Sequence, residues 1–533
     1  MTGSVRAEEV LRLLALIWLG IELCFYFLFK SDWLRLIDVR SSTPLYRLEP
    51  EELITRVLDD LASLRDYDVR KFFAGWFKGT ALENVKRGEA QCFFPLSSHQ
   101  SLFTYSFSLL LCGSSRVGNV EEFLAWAMFN AAVEDLNSGQ RTSVARMFKE
   151  MVRRFPEHAN FAPGYNAMVT TSRFTLEPAS PHVIFRPLVF YVGIALAKIV
   201  AHTVLFQAGF IPYRCGRLSY WFRPSARPKG ALEPLPLVFF HGISPGLFVY
   251  LPMLRNLLSG RAALLVEMPW VGMGIGCLSP PSREETVRAV KRALRRHGVE
   301  RACIAGHSYG TFCAAWMVHD AKEVVAQLVL LDPMCMLLAL PDITYNFLYR
   351  KPSNVMEKVL QLSAASEIGI NNTLRRHFWW FNSILFASEI QDIPTVVHLA
   401  AEDCISPSAC LLEYLRQNFT LNETILKPGQ STEFVSESSK SDGHSSALEL
   451  IWSEGFSHGE IVLSPTRQRE ICRKMRLQEC RILREEQQKA TSEKPPVSSC
   501  SNASASPIGL RVRSCSEPFA RPRPGSPPMV RLC

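Results

Sequence analysis

The sequence predicts an α/β fold: a mostly parallel sheet flanked by helices, roofed by a helical lid and preceded by a helical region that meets a membrane. Three observations lead there. From about residue 211, short runs of leucine and β-branched residues alternate with helical patterns, the order of a parallel sheet with crossover helices. One such run stops at "AGHSYG" (305–310), where a serine sits between glycines at the end of a buried strand. Two long apolar runs, 13–29 and 186–210, lie ahead of the alternating region.

The first apolar run, "LLALIWLGIELCFYFLF", approaches bilayer length, with Glu22 near its middle. It lacks a small-residue cleavage pattern, so residues 1–30 read as an uncleaved membrane anchor, with an in-plane amphipathic helix as the rival. The second run carries Lys198 and His202 near its centre. A charge there costs about 2.5–3.5 kcal/mol on insertion. The run either spans with Lys198 paired, lies flat or re-entrant at the interface, or is a core helix. Between the two runs, residues 31–185 read as a helical, membrane-proximal region. The stretches 51–77 and 120–136 repeat apolar residues every three and four positions, and nothing there looks catalytic.

Within 211–475, "PLVFFH" (236–241), "ALLVEM" (263–268), "RACIAG" (301–306), "QLVLLD" (327–332), "TVVHLA" (395–400) and "ALELIW" (447–452) read as strands buried on both faces. "REETVRAVKRALRRHG" (283–298) is an amphipathic helix ended by Gly298. Residues 418–446 are polar and read as an inserted flexible loop, and 485–533 as a disordered Ser/Pro/Arg-rich tail. The net charge of +9 is spread without a Lys/Arg block. That argues against a nucleic-acid partner and fits an anionic membrane surface. The 15 cysteines show neither paired nor zinc-type spacing, so reduced thiols and no metal are expected. Asn-x-Ser/Thr triplets at Asn371, Asn418, Asn422 and Asn502 do not fix the side of the membrane.

Gly306-His307-Ser308-Tyr309-Gly310 is a G-x-S-x-G between a strand and a helix. Small flanking residues let strand and helix backbones approach, so that the serine hydroxyl projects above the sheet. Ser308 is therefore the candidate nucleophile. A serine needs an oxyanion hole, a base and an acid. The expected donors are the backbone N–H of Tyr309 and that of Ile243 in "HGISPG", with Gly242 as the fallback. His241 is expected to brace this loop, and His307 to point away from the serine. The base is His458, just past the last strand, ahead of His444 and His377. The acid comes from "AAEDCISP", where Asp403 is better placed than Glu402. Asp332, at the end of an earlier strand, is the rival acid. The order Ser308, Asp403, His458 is the one in which this kind of sheet carries its triad. The sixty or so residues after Asp332, about 334–393, read as the lid, with Phe378, Trp379 and Trp380 lining an apolar substrate.

The set "HGISPG", "GHSYGT", "LLDP", "AAEDCISP" and "FSHGE" resembles the α/β-hydrolase fold superfamily. Over roughly residues 60–470 the chain is similar to uncharacterised membrane-anchored α/β-hydrolases of fungi and other lower eukaryotes. The shared features are "NFLYRKP", "LRRHFWWFN", "FFAGWF" and an "RPL" ahead of a greasy run. It departs from them at Ser457-His458, where relatives carry Asp-His. The resemblance implies a hydrolase without naming a substrate.

The expected function is thus a membrane-anchored serine hydrolase cleaving an ester or thioester of a lipid-like, acyl-containing substrate, with no cofactor. A catalytically silent scaffold and an acyltransferase are the alternatives. An intracellular membrane such as the endoplasmic reticulum is the expected location. "RVRSCSEPF" would suit a 14-3-3-type adaptor once Ser516 is phosphorylated.

Overall fold

The computed structural model describes residues 2–38, 46–78, 116–171, 183–226, 234–275, 278–352, 357–428, 433–437 and 447–492, apart from 66, 68, 158, 160, 168, 259, 359 and 360. Contacts divide the chain into Met1–Leu483 and Arg484–Cys533, the latter described only at the end of a long helix. His444, Asn502 and the Ser516 motif lie outside the described residues.

The first unit is built on a ten-stranded sheet. In chain order its strands are β1 (Ile211–Cys215), β2 (Leu218–Arg223), β3 (Leu237–Phe240), β4 (Ala263–Glu267) and β5 (Ala302–His307), then β6 (Val325–Leu331), β7 (Thr395–Ala400), β8 (Thr420–Leu426), β9 (Glu433–Glu437) and β10 (Ala447–Ser453). Across the sheet they run β9-β8-β10-β7-β6-β5-β3-β4-β2-β1. From β8 to β4 every pair is parallel, and β9, β2 and β1 are antiparallel. All six expected strands are present, and β3, β5, β6 and β7 are buried along their whole length.

The alternation of side chains divides the core in two. Val238 and Phe240 join the helices Arg283–Arg296 and Gly310–Asp320 on one face. Leu237 and Phe239 join Leu251–Leu258 and the helix that starts at Pro465 on the other. The helix Arg283–Arg296 starts in a capping box between Ser282 and Glu285, and Gly298 follows it at φ +67°, the left-handed exit that glycine allows.

Two expectations change. The stretch 418–446 is not simply a flexible loop: β8 pairs in parallel with β10, and β9 pairs with β8. Only Leu421, Thr424 and Leu426 of β8 are buried, so a strand near the sheet edge stays polar enough to read as a loop. The helix Pro465–Ser492 also runs past 485, where the tail was expected to begin.

The N-terminal region is helical as expected, with Pro50–Ser63, Val69–Trp76, Val117–Phe129 and Ser138–Arg154. It packs onto the segment expected to be a lid. Trp76 Nε1 donates to the Ala339 carbonyl at 3.1 Å, and beyond the lid segment the Tyr414 hydroxyl of the helix Ser408–Asn418 donates to Asp60 at 3.0 Å. The lid segment is a set of short helical pieces, including Pro341–Thr344, Ile368–Arg376 and Trp380–Ser383, with a buried interior.

Candidate active site

β5 delivers Ser308 to the carboxyl edge of the sheet, and Gly310 begins the next helix. The turn between them is tight enough to need both glycines. A Cβ on Gly306 would lie 2.5 Å from the Gly310 carbonyl oxygen, and a Cβ on Gly310 only 2.1 Å from that of Phe240. Ser308 itself holds φ +53°, a left-handed conformation that an L-residue adopts only under strain. Its amide donates to Leu331 at 3.0 Å, and its carbonyl accepts from the Thr311 amide and hydroxyl at 2.9 and 2.6 Å. These hydrogen bonds hold the Ser308 backbone in its left-handed conformation.

His458 Nε2 lies 2.8 Å from Ser308 Oγ, and His458 Nδ1 lies 2.7 Å from Asp403 Oδ2. Asp403 is fixed from its other oxygen, which accepts from the Ile405 and Ser406 amides at 2.8 Å each. This turn after β7 explains why "DCISP" suits an acid. The hydroxyl can donate to Nε2 while Nδ1–H donates to the carboxylate, the arrangement that makes a serine nucleophilic.

Burial alone would lower the basicity of His458, but the charge and hydrogen bond of Asp403, and then the charge of Asp332, raise its pKa from 6.5 to about 9. A base must be neutral to take a proton. If His458 is the base of an ester hydrolysis, the rise of kcat/KM with pH is therefore expected near 9, not near 6.5, in a pH–rate profile on an uncharged ester. An inflection near 6.5 would contradict this electrostatic environment. The same proton contributes to folding stability below 6.5, and that contribution is lost as pH rises through about 9.

The loop after β3 packs directly on Ser308. A Cβ on Gly242 would come within 2.9 Å of Ser308 Cβ. His241 braces the loop from below, with Nδ1 2.7 Å from the Gly242 carbonyl and Nε2 accepting the Met268 amide at 3.0 Å. Burial lowers its pKa and keeps it neutral. The Gly242 amide donates to the Tyr250 hydroxyl at 2.8 Å, so the fallback oxyanion donor is already committed. Among the described residues, no acceptor takes the amides of Ile243 or Tyr309.

Asp332 touches neither ring nitrogen of His458. It accepts from His398 Nδ1 at 2.9 Å and from the Gly459 amide at 2.8 Å. His307 does turn from the serine: its Nδ1 meets the Tyr250 hydroxyl at 2.8 Å. His377 ends the helix Ile368–Arg376. Phe378 is buried, with its ring 4.7 Å from that of Phe312 on the nucleophile helix. Trp379 is half-buried against Phe381. Trp380 corrects the expectation of a substrate-lining residue. Its Nε1 donates to the Ala127 carbonyl at 2.8 Å, and its ring lines a small apolar cavity with Trp76 and Trp126. It therefore packs the lid segment against the N-terminal helices.

Sequence reasoning missed Tyr250, His398 and Ser453. His398 was the findable one: a histidine inside the otherwise apolar strand "TVVHLA" must have buried partners.

A family model described as the alpha/beta hydrolase fold matches residues 236–368, which run from β3 through the serine turn into the lid segment. The chain has the α/β-hydrolase fold. Solved structures of this hydrolase fold match it at low identity. One is a bacterial membrane phospholipase A described as a virulence factor (15% identity, 55% of this chain and 94% of that one, TM-score 0.37). Another is a putative lipase from Acinetobacter baumannii (15%, 53% and 97%, TM-score 0.36), and a third a carboxylesterase from Bacillus subtilis (13%, 53% and 95%, TM-score 0.32). No curated protein matches the sequence.

Proposed function

We propose that this α/β-hydrolase is a membrane-associated serine hydrolase acting on an ester or thioester with an acyl chain. The observation that carries the reading is the unbroken chain from Ser308 Oγ to His458 Nε2 at 2.8 Å and from His458 Nδ1 to Asp403 at 2.7 Å. His458 takes the Ser308 proton as Oγ attacks the carbonyl carbon. The negative oxygen is held by the amides of Ile243 and Tyr309. The protonated imidazole then gives its proton to the leaving alcohol or thiol, and water, activated by the same ring, releases the acid from the acyl-enzyme. Purified protein should hydrolyse p-nitrophenyl acyl esters with a burst of one nitrophenol per enzyme when deacylation is the slower step. An ester assay with no turnover and no burst would count against the reading.

Two exposed apolar faces support the membrane part. Leu13–Asp32 and Leu188–Gln207 have mean hydropathies of 1.9 and 2.0, with 0% and 17% of each stretch buried. The second helix turns Tyr191, Ala201 and Leu205 inward, and His202 meets Glu267 at 3.0 Å. Leu196, Ile199 and Val204 face out. Lys198 lies over Gly272 and Gly274, so the helix keeps its polar groups on the protein. Glu22, midway along the first apolar stretch, accepts the Leu188 amide at 2.9 Å, one helical turn before Tyr191, whose hydroxyl meets Glu367 at 3.0 Å. A perpendicular first helix would carry these polar groups to the bilayer centre at high cost. These polar contacts support a reading in which both helices lie in the plane of one leaflet. The free described cysteines fit an intracellular membrane such as the endoplasmic reticulum.

Vesicle flotation tests the seating. Protein lacking residues 2–38 should still float with anionic vesicles through the second helix, and adding Leu196→Asp and Ile199→Asp should abolish flotation. Loss of binding on removing residues 2–38 alone would contradict a second in-plane helix.

A further inference from the structure

Asp332 directly follows β6 with φ +45°, a left-handed conformation of the kind that persists only where surrounding structure enforces it. Its side chain is fully buried. A buried carboxylate needs donors, and those of Asp332 come from a central strand and from the loop that carries His458. Oδ2 accepts the Gly459 amide at 2.8 Å, the peptide just after the base. The same oxygen lies 3.5 Å from Nε2 of His307, the residue just before the nucleophile. Oδ1 accepts from His398 Nδ1 at 2.9 Å, whose Nε2 in turn meets the Ser453 hydroxyl at 2.9 Å. The far nitrogen of His307 reaches the Tyr250 hydroxyl, which takes the Gly242 amide of the oxyanion loop.

One assignment of protons satisfies every hydrogen bond of the network and leaves the 3.5 Å approach of His307 Nε2 to Asp332 as an electrostatic contact. Gly242 N–H donates to the Tyr250 oxygen, and the Tyr250 hydroxyl donates to His307 Nδ1. His307 Nε2–H faces Asp332. His398 Nδ1–H donates to Asp332, and the Ser453 hydroxyl donates to His398 Nε2. Both histidines are then neutral, and the anion is Asp332. The base loop bonds this carboxylate directly, the serine turn reaches it through His307, and the oxyanion loop is linked to it through Tyr250 and His307, although Asp332 hydrogen-bonds to none of the three reacting groups.

Resting on the serine-hydrolase reading, we propose that Asp332 is a positioning residue of the reaction, a buried anion that sets the base loop through Gly459 and the oxyanion loop through His307 and Tyr250. It also places a fixed negative charge behind His458, where the imidazolium forms during attack. A strand cap with no role in the reaction would leave turnover and its pH dependence unchanged. The charged and titratable groups facing this position are His307 from β5, His398 from β7, and His458 with its partner Asp403 from the loops after β10 and β7.

The test uses full-length protein in detergent, assayed on a p-nitrophenyl ester and normalised to sites that react with a fluorophosphonate. Asp332→Asn keeps the shape and removes the charge. It should lower kcat about 10- to 100-fold with KM changed less than about threefold, and move the acid limb of kcat/KM to lower pH by about half a unit. Tyr250→Phe, which cuts the link from His307 to Gly242, should lower kcat about tenfold. The double variant should lose less than the product of the two single effects, because both act through one network.

A folded Asp332→Asn enzyme with kcat within about twofold of wild type and an unmoved acid limb overturns the proposal. If that variant does not fold, an unchanged kcat in Tyr250→Phe overturns it instead. Failure of the serine reading looks different: wild type itself would neither react with the fluorophosphonate nor turn over the ester.

Discussion

Ser308→Ala is expected to lower kcat on an acyl ester by about 10⁴- to 10⁶-fold with the fold intact. The hydroxyl lies 2.8 Å from His458 Nε2 on a turn whose path is set by Gly306, Gly310 and the Leu331 carbonyl, so removing one oxygen leaves the scaffold in place. A rate above that of water persists, since the oxyanion donors and the binding surface remain. Thermal denaturation should give a midpoint within a degree or two of wild type. A variant that keeps a tenth of wild-type kcat would mean that another group attacks the substrate.

Gly310→Ala should have the largest effect on stability. The added methyl would sit 2.1 Å from the Phe240 oxygen and 2.9 Å from that of His241, both backbone atoms in the centre of the sheet. Neither can move without shifting β3, whose four residues are wholly buried. The variant should lose more than about 3 kcal/mol, seen as a fall in thermal midpoint of roughly 3 °C or more, or as failure to accumulate in soluble form. A variant that melts like wild type would show that helix and strand have room to separate, and the requirement for glycine beside the serine would fall.

The serine turn was legible because its requirement is local: a strand, a helix and two backbones in near contact demand small residues within five positions. The six central strands were legible because burial on both faces leaves nearly continuous apolar runs. The β1–β2 hairpin and β8 were not singled out. β1 is largely exposed and β8 is half-exposed, and their Tyr, Arg, Thr and Glu residues do not distinguish a strand from a loop. The choice between Asp403 and Asp332 was open for a similar reason. Both follow buried strands, and only the convergence of loops some 55 and 126 residues from His458 decides which one meets the imidazole. The hub at Asp332 has no local mark at all, since its partners come from β5, β7 and the loop after β10. Trp380 shows the opposite error: an aromatic run reads as a substrate surface until its indole N–H finds the Ala127 carbonyl.

Peptide mapping by mass spectrometry after reaction with a fluorophosphonate is the most direct measurement of the central claim. One phosphonyl group on the peptide carrying Ser308, absent when His458 is replaced by alanine, is the predicted result. Modification at another serine, or none under conditions where a control serine hydrolase is fully labelled, would contradict it.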